Sequence, residues 1–259
     1  MLGVIAGDVI GSVFEFQAIK TTEFPLFGEG TTFTDDSVLT VATASVLLGE
    51  ADYLTAYRSF GIRYPKSGYG VRFNQWLQSY DDRPYKSYGN GSAMRVGPVG
   101  FAFADVRRLL REAKKSASVT HNHPEGIKGA QATALAVSLA RRGVGRDAIR
   151  DEITARFGYD LSRTVDRIRP TYSFNETCQG TVPEAIICAL ESSNWEDAIR
   201  KAISLGGDAD TLAAIAGGIA EALYGEVPDP IARRVRALLP AEFIDVMSRF
   251  RARFGDGSN

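Results

Sequence analysis

The sequence has few of the residues that build disulfide frameworks and zinc centres. Its 259 residues include two cysteines, Cys178 and Cys188, which do not form a CxxC pair, and two histidines, His121 and His123. A disulfide framework is therefore not expected, and a zinc site with His and Cys ligands is disfavoured. Sparse, unpaired cysteines are typical of a reducing compartment, so we expect a cytoplasmic protein.

The chain also lacks an excess of charge of one sign and a long apolar run. Thirty Lys and Arg residues stand against 31 Asp and Glu residues, a formal net charge of -1. A generic nucleic-acid-binding protein would be strongly basic, so nucleic acid is not an expected partner. No uncharged apolar run approaches the ~20 residues that span a bilayer. The N-terminus has no basic n-region of a signal peptide, so membrane association is not expected either.

What the sequence does contain is helical periodicity. Three segments carry no charged residue and are apolar nearly all round, which predicts buried helices. These are residues 37–49, 132–140 and 212–220. Amphipathic helices are predicted to surround them, over residues 145–157, 195–205 and 229–239. We expect a single compact all-α domain over residues 1–259, an orthogonal multi-helix arrangement of roughly ten helices.

Acidic turns precede two of the predicted buried helices. Either turn alone is typical of a helix N-cap, where a carboxylate favours the positive end of the helix. Together their carboxylates would repel one another beside a dry core unless cations neutralised them. Carboxylate and hydroxyl oxygens are hard ligands that select Mg²⁺ or Mn²⁺. Both interpretations stay open, because spacing does not show that the turns meet. The residues are Thr34, Asp35 and Asp36 in the first turn and Asp208, Asp210 and Thr211 in the second.

Three further places could contact a ligand. The glycine-rich segment 88–95, YGNGSAMR, is either a backbone nest for a phosphate or a turn before another helix. His121 lies just before Pro124, a predicted first residue of a helix, and could contact an anion or only cap that helix. Glu15 lies one heptad after Asp8, on the same helix face. It is either a partly buried catalytic carboxylate or a surface residue.

Six separated segments together resemble the ADP-ribosylglycohydrolase family. They occur in the family's order and extend over most of the chain. They are GDVIGSVFE at 7–15, FTDDS at 33–37, GYG at 68–70, YGNGSAMR at 88–95, THNHPEG at 120–126 and GGDADT at 206–211. The resemblance implies an all-α domain with a central binuclear metal site that holds two Mg²⁺, with Mn²⁺ as the alternative.

The resemblance also implies roles for individual residues. Glu15 and Asp35 are the implied catalytic carboxylates, and Phe174 or Tyr172 is implied to stack on adenine. The implied metal ligands are Thr34, Asp35 and Asp36 for one ion, Asp208 and Thr211 for the other, and Asp210 for both. The implied contacts to the rest of the substrate are Gly70, Gly89, Asn90, Gly91, Ser92, Met94 and His121.

The implied reaction is hydrolysis of the glycosidic bond between ADP-ribose and a protein side chain or small conjugate, with release of ADP-ribose. The GYG segment is similar to the branch that cleaves O-linkages. No acidic residue occurs between Tyr64 and Tyr80, where the arginine-linkage branch carries an aspartate, so Ser and Thr linkages are favoured over Arg. No heptad pattern demands a partner helix, and we expect a monomer.

Two other functions remain compatible with the residues. One is a non-catalytic ADP-ribose-binding protein on the same fold, because a fold can be reused without its chemistry. The other is a two-metal phosphohydrolase, since paired metal ions held by carboxylates also serve phosphoryl transfer. A nuclease would be expected to have a basic groove, and the basic residues here are scattered along the chain.

Overall fold

The computed structural model describes residues 1–255, and these residues form fifteen helices and no strand. The prediction of an all-α fold is confirmed. One isolated antiparallel bridge pairs Gly89 with Thr177. The helices are α1 (Leu2–Gly11), α2 (Asp35–Leu48), α3 (Tyr53–Arg63), α4 (Val71–Gln78), α5 (Gly91–Met94), α6 (Gly97–Ala102), α7 (Val106–Ser118), α8 (Pro124–Arg141), α9 (Arg146–Phe157), α10 (Val165–Ile168), α11 (Cys178–Leu190), α12 (Trp195–Ser204), α13 (Ala209–Tyr224), α14 (Asp229–Leu238) and α15 (Ala241–Phe254).

The predicted helix types agree with the burial of these elements. The uncharged runs lie inside α2, α8 and α13, and residues 212–220 of α13 are buried without exception. The amphipathic segments form α9, α12 and α14, each with one buried face. The expected count of about ten helices was too low, because segments as short as α5 and α10 contain too few residues to show a helical period.

The helix α13 packs against α1 more extensively than against any other helix. The contact is close because Gly3, Gly7 and Gly11 follow one another at four-residue spacing on α1. A Cβ atom at Gly7 would overlap the backbone of Ala213, and one at Gly11 would lie 2.5 Å from the Cα atom of Asp210. The C-terminal end of α1 is therefore held directly against the first turn of α13.

None of the helices within residues 1–255 combines the length and the apolar character needed to cross a membrane. The acidic segments lie in the N-terminal turns of α2 and α13. These two turns lie beside α1 and beside each other.

Candidate active site

Asp8 of α1 fixes the start of α2. Its Oδ1 accepts a hydrogen bond from the Thr34 hydroxyl at 2.6 Å, and its Oδ2 accepts from the N–H groups of Thr34 at 3.0 Å and Ser37 at 3.1 Å, as well as from the Ser37 hydroxyl. Sequence reasoning used Asp8 only to place Glu15 on a helix face. The signal that it missed is a carboxylate inside an otherwise apolar helix, since a buried charge needs several partners.

Asp36 and Thr211 bring the two acidic turns together. The Thr211 hydroxyl donates to Oδ1 of Asp36 at 3.4 Å across 175 residues of sequence. Asp36 is 2% exposed, and its Oδ2 is buried without a hydrogen-bond partner among the described residues. A buried carboxylate oxygen without a partner is costly. The Asp36 carboxylate lies between the N-terminal turns of α2 and α13.

Glu15, Asp208 and Asp210 form a second group of oxygen atoms. One carboxylate oxygen of each lies within 4.8 Å of the others. Asp208 occupies the N-cap position of α13 but does not cap the helix; its Oδ2 accepts from Nδ2 of Asn90 at 2.7 Å. Asp210 lies in the first helical turn and is 4% exposed. The simple capping interpretation therefore fails for Asp208.

Asp35 lies at the edge of this cluster, against the loop between α3 and α4. Its N–H group donates to the carbonyl oxygen of Ser67 at 2.6 Å. Gly68 has a φ of 89°, and a Cβ atom there would lie 3.7 Å from Oδ1 of Asp35. Gly70 is exposed before α4 and faces open space. Of the two glycines in the GYG segment, Gly68 is thus the one that lies beside the Asp35 carboxylate.

None of the carboxylates of this cluster forms an ion pair with a Lys or Arg side chain among the described residues. Burial, and then the charges of neighbouring carboxylates, hold the pKa of Asp35, Asp36 and Asp210 well above the ordinary aspartate range. Burial and the charges of Asp208 and Asp8 raise the pKa of Glu15 to about 7. Carboxylate and hydroxyl oxygens around an unpartnered Asp36 oxygen fit a hard divalent cation.

The glycine-rich segment 88–95 lies beside this cluster and is held by the start of α11. The Asn90 N–H group donates to the Glu176 carbonyl at 2.7 Å, and the Cys178 N–H group donates to the Tyr88 carbonyl at 2.9 Å. The Asn90 side chain, besides contacting Asp208, donates to the Thr181 hydroxyl at 3.1 Å. Asn90 therefore orients a member of the carboxylate cluster.

Two other residues of this segment use their side chains inside the protein. The Ser92 hydroxyl is fully buried and donates to the Gly126 carbonyl at 2.7 Å. Met94 is buried, with its sulfur 4.0 Å from the Thr211 hydroxyl. Gly89 and Gly91 are the members of the segment that lie against the imidazole of His121.

The two histidines have different surroundings. His123 is the N-cap of α8, where its Nδ1 accepts from the Glu125 N–H group at 3.2 Å. The alternative that His121 caps this helix is therefore wrong. His121 is buried, and its Nδ1 lies 2.7 Å from the Thr120 hydroxyl. Burial and the charges of Arg95 and Arg72 hold its pKa well below the usual histidine value.

The two candidate adenine-stacking residues also differ. Phe174 is 49% exposed and stacks on Phe16, with ring centroids 6.2 Å apart. Tyr172 donates its hydroxyl to the Gly180 carbonyl at 2.9 Å, and its ring fills the space beside Gly207. Of the two, Phe174 is the ring with an accessible face. Phe16 directly follows Glu15, and sequence reasoning did not single it out.

Comparison with known proteins agrees with these observations. Among curated proteins, ADP-ribosylhydrolase ARH3 of Gallus gallus is 28% identical over 89% of this chain and 85% of its own length. ADP-ribosylarginine hydrolase Tri1 of Pseudomonas putida (strain GB-1) is 28% identical over 87% of this chain and 69% of its own length. A solved structure described as an ADP-ribosylglycohydrolase-related protein complex superposes with a TM-score of 0.73. It has 24% identity and covers 99% of this chain and 97% of that one.

The family assignment rests on a match that extends over nearly the whole chain. The family model described as ADP-ribosylglycohydrolase matches residues 1–257, which include all six segments of the resemblance. The predictions of that family, of its all-α fold and of an ADP-ribosyl glycohydrolase are confirmed. With the acidic turns adjacent in space and the match this complete, the chain belongs to the ADP-ribosylglycohydrolase family.

Proposed function

We propose that this protein is a divalent-metal-dependent hydrolase that cleaves the glycosidic bond between ADP-ribose and a Ser or Thr side chain. The observation that carries the proposal is the convergence of carboxylates from separate helices and a loop. Asp36 has a buried oxygen with no hydrogen-bond partner in the described part of the chain, and Asp210 lies with Glu15 and Asp208 within one small group of oxygen atoms.

These residues supply the oxygen ligands that hard cations prefer. Bound Mg²⁺ or Mn²⁺ would neutralise the carboxylates and favour binding of the ribose hydroxyls. One ion would be held by Thr34, Asp35 and Asp36, the other by Asp208 and Thr211, with Asp210 shared between them. Asp8 and Asn90 position this set, since Asp8 holds the start of α2 and Asn90 holds Asp208.

Glu15 and Asp35 are the groups proposed to move protons. In the metal-free protein, burial and the charges of Asp208 and Asp8 raise the pKa of Glu15 to about 7. Glu15 is therefore proposed as a carboxylate that exchanges protons with water and substrate. A water oxygen bonds to the anomeric carbon as the bond to the Ser or Thr oxygen breaks. One carboxylate takes the proton of that water, and the other, in its protonated form, gives its proton to the departing oxygen. Positive charge develops on the ribose ring in the transition state, as in other glycoside cleavages.

The remaining contacts hold the rest of the substrate. The backbone at Gly89 and Gly91 can approach the pyrophosphate of the substrate closely. His121 lies beside these two glycines. Gly70, which is exposed before the start of α4, is proposed to contact the ribose. The open face of Phe174 is proposed to stack on adenine. Ser92 and Met94 would act through their backbone, because their side chains are engaged inside the protein.

The proposed preference for an O-linkage is supported by the sequence around the loop contact of Asp35 at Ser67. Residues 65–79 contain no acidic residue, whereas they include Lys66 in the loop and Arg72 in α4. A guanidinium leaving group would be stabilised by a bidentate carboxylate partner and repelled by neighbouring cations. A neutral Ser or Thr side chain needs no carboxylate partner and is not repelled by cations.

The test is a panel of peptides ADP-ribosylated on Ser, Thr or Arg, each incubated with Mg²⁺, Mn²⁺ or a chelator. Mass spectrometry is expected to show free ADP-ribose from the Ser or Thr peptides only when metal is present. Asp210→Asn serves as the matched inactive variant, because the amide keeps the shape of the side chain but removes its charge. Binding of ADP-ribose without turnover would indicate a binding protein, and release of AMP would indicate a phosphohydrolase.

A further inference from the structure

Arg95 is a fully buried guanidinium that has no carboxylate partner among the described residues. Its side chain is 0% exposed and lies over the ring of Tyr57, with Cζ 4.1 Å from the ring centroid. Nη2 donates to the Ser116 carbonyl at 3.1 Å and to the Thr120 hydroxyl at 2.9 Å. Within residues 1–255, Nε and Nη1 have no hydrogen-bond partner. Burying a cation in this way is costly and calls for a specific role.

The hydrogen bonds from Arg95 determine which nitrogen of His121 carries the proton. A guanidinium only donates, so the Thr120 oxygen is the acceptor in that contact. The hydroxyl proton of Thr120 then needs an acceptor. Among the described residues, the Thr120 hydroxyl lies 2.7 Å from Nδ1 of His121, and the Tyr85 side chain also contacts Thr120. An imidazole nitrogen is a stronger acceptor than a phenol oxygen, so Nδ1 accepts, and the proton of a neutral imidazole is on Nε2.

The Nε2 atom faces the glycine-rich segment. A Cβ atom at Gly91 would lie 3.2 Å from Nε2, and one at Gly89 would lie 3.7 Å away. Nε2 makes no hydrogen bond within residues 1–255, although Nδ1 does. The cations near the ring, Arg95 and Arg72, disfavour a second positive charge on the imidazole. A neutral ring with a free N–H group thus faces Gly89 and Gly91, the two glycines proposed to approach the pyrophosphate.

We propose that Arg95 and Thr120 are positioning residues that hold His121 as the neutral Nε2–H tautomer, so that it donates a hydrogen bond to an oxygen of the bound ADP-ribosyl group. The identity of that ligand rests on the proposed function. The opposite tautomer would present a lone pair to the ligand oxygen and repel it. The role of the buried Arg95 is therefore to fix the direction in which His121 donates its hydrogen bond.

The first test is imidazole nitrogen NMR on the metal-free protein labelled with ¹⁵N-histidine. The chain has only two histidines, and His123→Asn, which keeps a good N-cap, assigns the signals. Wild-type His121 is expected as the Nε2–H tautomer at neutral pH. Thr120→Val should give a tautomer mixture, and Thr120→Ser should restore the wild-type signals. A wild-type Nδ1–H tautomer or imidazolium, or an unchanged spectrum for Thr120→Val, overturns the proposal.

The second test separates positioning from packing. Thr120→Val is expected to weaken ADP-ribose binding about tenfold by calorimetry and to raise KM for an ADP-ribosylated peptide with little change in kcat, as for loss of one donor to the ligand. Thr133→Val is the matched control, because the Thr133 hydroxyl is buried and has no hydrogen-bond partner among residues 1–255. This variant should change neither quantity. Equal effects of the two variants on binding contradict the proposal.

The outcomes distinguish this inference from the function on which it rests. If wild-type protein cleaves the peptides but Thr120→Val binds normally, only the positioning role fails. If wild-type protein binds ADP-ribose without cleaving any peptide, the hydrolase proposal fails while the calorimetric test of Thr120 still applies. If wild-type protein does not bind ADP-ribose at all, both proposals fail.

Discussion

The carboxylates of the candidate site differ in the kind of structure that carries them. Asp36 and Asp210 lie in the first turns of α2 and α13, both packed in the core, and are 2% and 4% exposed. Glu15 lies in the segment 12–34, which contains no helix, and is only half-buried. The first two are held by helix packing, whereas the third depends on a loop.

The loop is attached by a few polar contacts. Nζ of Lys20 donates to the carbonyl groups of Arg169 at 2.9 Å, Tyr172 at 2.5 Å and Leu205. Nη1 of Arg200 donates to two further carbonyls, those of Thr22 and Phe24, at 3.0 and 2.8 Å. Glu15 is therefore positioned by the contacts of this loop, whereas Asp36 and Asp210 are positioned by the packing of α2 and α13.

The largest expected effects come from removing one acid of each kind. Asp210→Asn and Glu15→Gln should each lower kcat by about 10²–10⁴-fold. Only Asp210→Asn should also lose the rise in melting temperature that Mg²⁺ produces, because Asp210 is a proposed ligand in the core. Rates with an ADP-ribosylated peptide and thermal unfolding with and without Mg²⁺ measure the two effects. If the two variants respond equally to Mg²⁺, the assignment of Asp210 as a metal ligand and of Glu15 as a proton-transfer group outside the metal site is wrong.

A second expected effect is a pH-dependent stability of the metal-free protein. The pKa of Glu15 is raised from 4.5 to about 7, and burial raises the pKa of Asp36 and Asp210 well above the usual range. The folded state therefore binds more protons than the unfolded state. The free energy of unfolding must then fall as pH rises from about 4.5 through 7.

Urea unfolding with chelator between pH 4.5 and 8 measures this slope. Mg²⁺ at a hundred times its Kd should add ~2.7 kcal/mol, and the gain should persist at pH 8, because a bound cation favours the ionised carboxylates. Asp36→Asn should flatten the slope of the metal-free protein, since it removes one buried acid. A slope that stays unchanged in this variant would show that the pH dependence arises elsewhere.

The smallest expected effect concerns the loop attachment. Lys20→Met removes the three contacts to carbonyl groups and should lower kcat/KM by roughly tenfold, equivalent to ~1.4 kcal/mol. Amide hydrogen exchange in residues 12–34 should become faster, whereas exchange in α2 and α13 should not. Lys114→Met is the matched control, because Lys114 is exposed on α7. Faster exchange in α13 as well would mean that the loop stabilises the core.

Sequence patterns predicted much of the fold but less of the site geometry. The uncharged run at 212–220 predicted a buried helix, and Pro124 was correctly placed as the first residue of α8. Asn194 caps α12, where it accepts from the Asp197 N–H group at 2.9 Å. These features depend on residues close in the chain, where the helical period and the cap geometry act directly.

The missed roles depend on residues distant in sequence. Nothing near Asp8 indicates that it binds the start of α2, and nothing near Asn90 indicates that it holds Asp208. The role of Arg95 follows only from its place beside Thr120 and His121 in the folded core. Each of these contacts forms only when separate helices pack, so no local pattern can report it.

The amino-acid sequence by itself determined that the chain is helical, which helices are buried, and which family segments it contains. The tertiary structure alone decided that Asp36 and Thr211, 175 residues apart, come within 3.4 Å of each other. The physical reason is that helix formation responds to local periodicity. The approach of Asp36 to Thr211 instead requires the close packing of α1 on α13, which Gly3, Gly7 and Gly11 permit.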